Sequence, residues 1–176
     1  MRMTIFTTLP NAVHDMLAVM DAIDLTVVDV SSCRPELDPS AEKPDMILTY
    51  RCPYILSQEL YLSALTGAFN IHPTLLPSYP GLNPWPALFH DVETHRLHSA
   101  DPFVSGVTLH RLSQIPDAGE IIIQNKFSIT ESDTVPTARA KADIAAAEML
   151  KRWLDDIFSA FSRKREDKML VCSSRS

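Results

Sequence analysis

The stretch Gly67-Ala68-Phe69-Asn70-Ile71-His72-Pro73-Thr74-Leu75-Leu76-Pro77-Ser78-Tyr79-Pro80-Gly81 begins as a strand and ends as something that is neither strand nor helix. Ala68 to Ile71 is a short apolar run of strand type. From His72 to Pro86 the chain carries five prolines. Each fixes φ and lacks an N–H donor, so this segment is expected to be an ordered, non-regular loop. Just upstream, Ser57 has the chemistry of a helix cap, and a helix is expected to about Leu65, stopped by Gly67. Helix, buried strand and stiff loop in that order set the rhythm of an α/β chain.

The same rhythm extends outward. Met3 to Thr7, Leu25 to Val30 and Met46 to Thr49 are expected strands, the second of them buried. Asn11 is positioned to cap a helix over Ala12 to Ala22, with Val13, Leu17 and Met20 on one face. Ser31 to Asp45 contains three prolines and several charges and is expected to be loop. A short helix over Trp85 to Asp91 precedes two strands, Val104 to Leu109 and Glu120 to Phe127, joined through the turn Pro116-Asp117-Ala118-Gly119. Asp133 or Thr134 then caps a long helix with the apolar stripe Ala142, Ala145, Met149, Trp153, Ile157 and Phe161. Strands alternating with helices predict an α/β fold with a mostly parallel sheet. The expected domain covers 1–162, and 163–176, charged and then Ser-rich, is expected to be a flexible tail.

Composition narrows the function. A chain of 176 residues, 45% apolar and 22% charged, is long enough to bury a full core. Net charge −6 argues against a general nucleic-acid binder. Three cysteines without a C-x-x-C pair suggest reduced thiols, and no apolar stretch has membrane-spanning length, so a cytoplasmic protein is expected. All four glycines lie between residues 67 and 119, and close backbone approaches are expected around Gly81, Gly106 and Gly119.

Ligands of parallel sheets collect at the carboxyl ends of the strands. Asn70 and His72 stand at one such end. His110 follows the strand ending near Leu109, and Asp117 lies seven residues on. Asn, His and Asp together can polarise a carbonyl, move a proton and hold an imidazolium. The spacing of His90, His95 and His98 matches no metal signature, and no metal is expected. Cys52 reads as a small buried hydrophobe, and Trp85 and Trp153 as core or dimer contacts, which leaves a homodimer open.

Phe69 to Gly81 resembles the N-I-H-P-S-L-L-P-x-x-x-G motif of the formyltransferases that use 10-formyltetrahydrofolate. Gly106-Val107-Thr108-Leu109-His110 and Asp117-Ala118-Gly119-Glu120-Ile121 resemble that family's G-x-T-x-H and D-x-G-x-I, and the likeness covers roughly residues 46 to 130. The resemblance implies a Rossmann-like sheet of the formyltransferase fold, with Asn70, His72 and Asp117 as the catalytic trio. In that role Asn70 and a protonated His72 would donate to the oxygen of the reacting formyl group. It further implies that Ile55, Leu56 and the segment Ser113, Gln114, Ile115 and Pro116 enclose the pterin, and that His110 and Gly81 border the substrate pocket. Tyr54-Ile55-Leu56-Ser57 looks like the strand-to-helix turn at the pterin site of the glycinamide ribonucleotide branch.

The chain departs from the family pattern in three places. Thr7-Thr8-Leu9-Pro10-Asn11 has no glycine where family members carry a Gly-containing loop, and Ser31 to Asp45 leaves no room for an additional helix. The spacer from Asn70 to Asp117 is lengthened around His90 to Phe103, and no transfer-RNA-binding domain is expected. Glycinamide ribonucleotide is thus expected to be a poor acceptor, for want of a phosphate cradle. The expected activity is formyl transfer from 10-formyltetrahydrofolate to a small amine, such as an amino sugar nucleotide or a hydroxylamine-type side chain. Hydrolysis of the same donor, or mere binding of it, is the alternative.

Overall fold

The computed structural model describes residues 1–17, 23–36 and 42–173. Its elements are β1 (Arg2–Thr7), α1 (Pro10–Leu17), β2 (Asp24–Asp29), β3 (Met46–Tyr50), α2 (Gln58–Leu62), β4 (Gly67–His72), α3 (Trp85–Arg96), β5 (Phe103–Arg111), β6 (Ile121–Ile129) and α4 (Val135–Ser173). The strands form one sheet in the order β2-β1-β3-β4-β5-β6. Neighbours from β2 to β4 are parallel, whereas β5 and β6 are added antiparallel, so the expected mostly parallel α/β sheet is present. The chain leaves β1 for β2 on one side and returns to β3 on the other. That reversal opens a crevice at the carboxyl ends of β1 and β3.

Period-two alternation gives the sheet two different faces. Met3, Ile5, Met46, Leu48, Phe69, Ile71, Val107 and Leu109 pack with Val13 and Leu17 of α1, Leu88 and Val92 of α3, and Ala142, Met149 and Trp153 of α4. Phe69 and Trp153 meet edge to face, with ring centroids 4.9 Å apart. The opposite face carries a smaller cluster of Phe6, Val30, Ile47 and Ala68 under Leu56 and Leu60. Among the described residues α2 is the one helix over that face, and the cavity described below lies at its carboxyl-end half.

Several elements differ from the sequence reading. β2 is a half-exposed edge strand rather than a buried one, since β1 is its sole neighbour; Val30, just past it, is the fully buried residue. α1 begins at Pro10, before the expected cap Asn11, and the expected continuation through Met20 to Ala22 lies outside the described residues. Ser57 does cap α2, accepting from the Leu60 amide at 3.2 Å, but the helix ends at Leu62 and Gly67 opens β4. α3 runs on to Arg96, taking in His90 and His95. Tyr54 to Ser57 is loop without a strand.

α4 extends to Ser173, and residues 174–176 lie outside the described residues. Ala142, Ala145, Met149 and Trp153 of its stripe are buried; the side chain of Phe161 is outside the described ones. Asp133 does more than cap this helix. It is buried, accepts from the Thr130 amide at 2.7 Å and pairs with Lys141 at 2.5 Å. Burial works against its ionisation, but Lys141, Thr130 and Thr137 outweigh that and hold its carboxyl well below the usual range. No helix among the described residues is long and apolar enough to cross a membrane.

Candidate active site

Asn70 sits in β4 between Thr49 of β3 and His110 of β5, each directly opposite it in the ladder. The Thr49 hydroxyl donates to Asn70 Oδ1 at 2.8 Å, and Asn70 Nδ2 is 3.0 Å from His110 Nε2. His110 Nδ1 is 3.1 Å from the Arg111 carbonyl, which can only accept, so Nδ1 carries the hydrogen and Nε2 accepts from Asn70. These contacts fix which way the amide points. Among the described residues, one Asn70 N–H is left without a protein partner.

Two residues on, and on the same face, His72 closes β4. Its Nε2 donates to the Tyr79 carbonyl at 2.9 Å, leaving Nδ1 at 3.6 Å from Asp117 Oδ1. Burial lowers the His72 pKa below its ordinary value; the Tyr79 carbonyl and the Asp117 charge oppose the shift without cancelling it. The ring is therefore neutral at pH 7, with a lone pair on Nδ1. Asp117 Oδ1 is also 3.6 Å from His110 Nε2, and Oδ2 accepts from the Gly81 amide at 2.7 Å. The Gly81 amide favours the charged form of the Asp117 carboxylate, and burial opposes it.

The proline loop is bolted to the sheet. The Thr108 hydroxyl donates to the Thr74 carbonyl at 2.7 Å and accepts from the Leu76 amide at 3.0 Å, while Gln124 donates to the Leu76 carbonyl at 2.9 Å. The loop carrying Asp117 folds back because Gly119 lacks a side chain: a Cβ there would stand 1.8 Å from the Arg111 carbonyl oxygen. Around the site Arg51, Tyr79 and Asp117 adopt φ of 49°, 54° and 57°. Such conformations cost on the order of 1–2 kcal/mol each and persist where the surroundings over-determine them.

These groups border a cavity of about 540 Å³ at the carboxyl ends of β1, β3 and β4. One wall comes from the α2 side, with Cys52, Tyr54, Leu56, Tyr61 and Leu112; the other comes from Tyr50, Trp85, Arg139 and Asp143 on the α4 side. Of the residues singled out in sequence, Asn70, His72, Asp117, Ile55, Leu56, Ser113, Pro116 and Gly81 all line it. Gln114 and Ile115 do not: Gln114 turns to Gln58 of α2 at 3.3 Å, and the Ile115 side chain is exposed. His110 does not line it either. The sequence reading put His110 beyond a strand end, but β5 is antiparallel to β4 and extends to Arg111, so its register buries His110 beside Asn70. Cys52 is half-buried on the cavity wall.

Other site residues escaped the sequence reading. Thr49 ends an apolar strand and looks like filler there. The Tyr50 hydroxyl and Arg51 both bind the Asp143 carboxylate, Arg51 at 3.2 Å, and burial pushes the Tyr50 hydroxyl pKa up. Arg139 sits 5.4 Å from the centroid of Trp85. The i,i+4 spacing of Arg139 and Asp143 was the available signal, masked by the alanine-rich helix around it.

A family model described as formyl transferase matches residues 33–154. Among solved structures, the formyltransferase PseJ from Anoxybacillus kamchatkensis, in complex with UDP-4,6-dideoxy-4-formamido-L-AltNAc and tetrahydrofolate, superimposes with a TM-score of 0.67 at 22% identity, over 88% of this chain and 75% of that one. A phosphoribosylglycinamide formyltransferase from Streptococcus pneumoniae TIGR4 gives 0.64 at 17% identity, over 89% and 98%. A 4-N formyltransferase from Francisella tularensis gives 0.67 at 18% identity, over 90% and 69%. At these identities the structural likeness speaks to the fold.

Proposed function

This chain belongs to the formyl transferase family, and we propose that it moves the formyl group of 10-formyltetrahydrofolate to the amine of a small acceptor, of which an amino sugar nucleotide is the best fit. The observation that carries this reading is the convergence of Asn70, His72 and Asp117 on one cavity. The residues present fit the donor. Exposed Ile55, buried Leu56, Ser113 and Pro116 offer an apolar slot edged by main-chain groups, suited to a flat ring with a hydrogen-bonding rim. When bound, the folate supplies an electrophilic formyl carbon attached to nitrogen.

The chain's own residues then divide the work. The spare N–H of Asn70 donates to the formyl oxygen as negative charge builds on it, a contribution of about 3–4 kcal/mol in comparable sites. Neutral His72 takes, at Nδ1, the proton that the attacking amine loses, and returns it to the nitrogen that departs. One C–N bond forms, one breaks, and the proton count closes. Asp117, 3.6 Å away, stabilises the imidazolium between those two steps. His72 thus acts first as a base; a protonated donor, as the sequence suggested, is a state the ring reaches only during turnover.

The loop after β1 supports this choice of acceptor. It is two residues long and uses its polar groups internally: the Leu9 amide donates to the Thr7 hydroxyl at 3.0 Å, and the Thr8 hydroxyl to the Arg51 carbonyl at 3.0 Å. The loop has no glycine, and with these contacts taken it is ill suited to cradle a ribose phosphate. The likeness to PseJ, whose complex holds a formamido sugar nucleotide, supports the same choice.

The test is incubation of the purified protein and 10-formyltetrahydrofolate with a panel of amino sugar nucleotides and with glycinamide ribonucleotide, reading formamide product by mass spectrometry. Product from a sugar amine supports the reading. Formate released without any amine would establish a hydrolase instead, and folate binding without turnover a binding module.

A further inference from the structure

Arg139 is a cation without a counter-charge in the wall of the cavity. The nearest acidic residue along α4, Asp143, stands one turn further on and is already occupied: one oxygen takes the Tyr50 hydroxyl and the other takes Arg51 at 3.2 Å. That arrangement cancels the charges of Arg51 and Asp143 against each other. Among the described residues Arg139 has no ion pair and donates no hydrogen bond, and its Nε is buried without a partner. The guanidinium rests on the face of Trp85, 5.4 Å from the ring centroid, which holds it in place through attraction to the ring's electron-rich face.

A half-buried guanidinium, pre-positioned and unsatisfied, suits a planar or tetrahedral oxyanion, because the fork of N–H groups pairs with two oxygens at once. Its place is also informative. The α2-side wall of Cys52, Tyr54, Leu56, Tyr61 and Leu112 carries no charged side chain, whereas Arg139 stands on the α4-side wall with Trp85 and Asp143. Anion binding therefore belongs to the half of the cavity left over once a pterin fills the apolar slot.

We propose that Arg139 receives an oxyanion borne by the formyl acceptor, so that the amine this protein modifies carries a phosphate or carboxylate group. The proposal rests on the formyl-transfer reading, since it takes the α4-side half as the acceptor's. Arg139 is then a residue that selects the acceptor and has no part in the chemistry of the formyl group.

Calorimetric titration tests it with three probes: tetrahydrofolate, then inorganic pyrophosphate and malonate, each added to the folate complex. The wild type is expected to bind one of the two anions, with pyrophosphate binding indicating a phosphate-bearing acceptor and malonate a carboxylate-bearing one. Arg139→Leu should weaken that anion by about tenfold or more, the loss of a charge-assisted pair, and Arg139→Lys should keep part of it. Tetrahydrofolate affinity should be the same in all three proteins, which also shows that the variants fold. A wild type that binds folate but neither anion overturns the proposal, as does an Arg139→Leu variant that binds the anion like wild type. Absence of folate binding from the wild type would strike instead at the formyl-transfer reading.

Discussion

Asn70 Nδ2 and His110 Nε2 are 3.0 Å apart across the β4–β5 ladder, and this contact orients the amide that faces the cavity. Thr49 holds the other end of the same amide. Removing Thr49's hydroxyl in Thr49→Val frees the amide to rotate while preserving the side chain's shape. Turnover is expected to fall about tenfold, with folate affinity unchanged, because the Asn70 hydrogen bond matters most as charge develops. Steady-state kinetics beside folate titration decides it. A variant with unchanged turnover shows that Asn70 needs no orienting.

His72→Ala removes the proton carrier without touching Ile55, Leu56 or Pro116. Folate affinity is expected to stay within a few-fold of wild type, and turnover to fall about a hundredfold or more. Equal losses in both would mean that the loop held by the His72–Tyr79 contact has collapsed, and that His72 is structural.

The pH profile carries a sign. His72's pKa is lowered in the folded protein, so the neutral base is lost only on acidification below the ordinary histidine value of 6.5. The acidic limb of kcat/KM is expected below that value. The Asp117 charge raises the His72 pKa from what burial alone would give, so Asp117→Asn should move the limb to still lower pH and reduce the plateau. Stability follows the same direction. The unfolded chain binds a proton at His72 near 6.5 while the folded chain resists it, so this contribution is present above 6.5 and is lost as pH falls toward the folded value. A limb above 6.5, or one unmoved in Asp117→Asn, contradicts the base assignment.

Much of this site was legible before the fold. The period-two placement of Asn70 and His72, the proline loop and the Asp117-Ala118-Gly119 turn are local patterns, written in neighbouring residues. What stayed hidden depends on partners distant in sequence. β2 reads as buried because Leu25 to Val30 is mostly apolar, yet its exposure depends on its place at the sheet edge. His110 reads as a strand terminus because nothing local announces the antiparallel register that seats it beside Asn70. Thr49 and Arg139 gain meaning only through residues 21 and 54 positions away. Local chemistry survives translation from sequence; the pairing of distant strands and helices does not.

Gly81 ties these levels together in one backbone position. Its φ of 101° lies where an L side chain is strained, and its amide is the donor that fixes Asp117 Oδ2 at 2.7 Å. Space is not the obstacle, since a Cβ there meets nothing within 4 Å. Gly81→Ala should therefore cost about 1–3 kcal/mol through backbone strain alone. If the loop relieves the strain by rotating, the amide leaves Asp117, and the carboxylate swings out of line with His72. Activity should then fall further than the modest drop in melting temperature suggests, by about tenfold at temperatures where the variant is fully folded. Leu82→Ala, at a neighbouring exposed side chain, serves as the control and should match wild type in melting temperature. A Gly81→Ala variant with wild-type stability and turnover would show that neither the left-handed backbone nor its hydrogen bond to Asp117 supports the site.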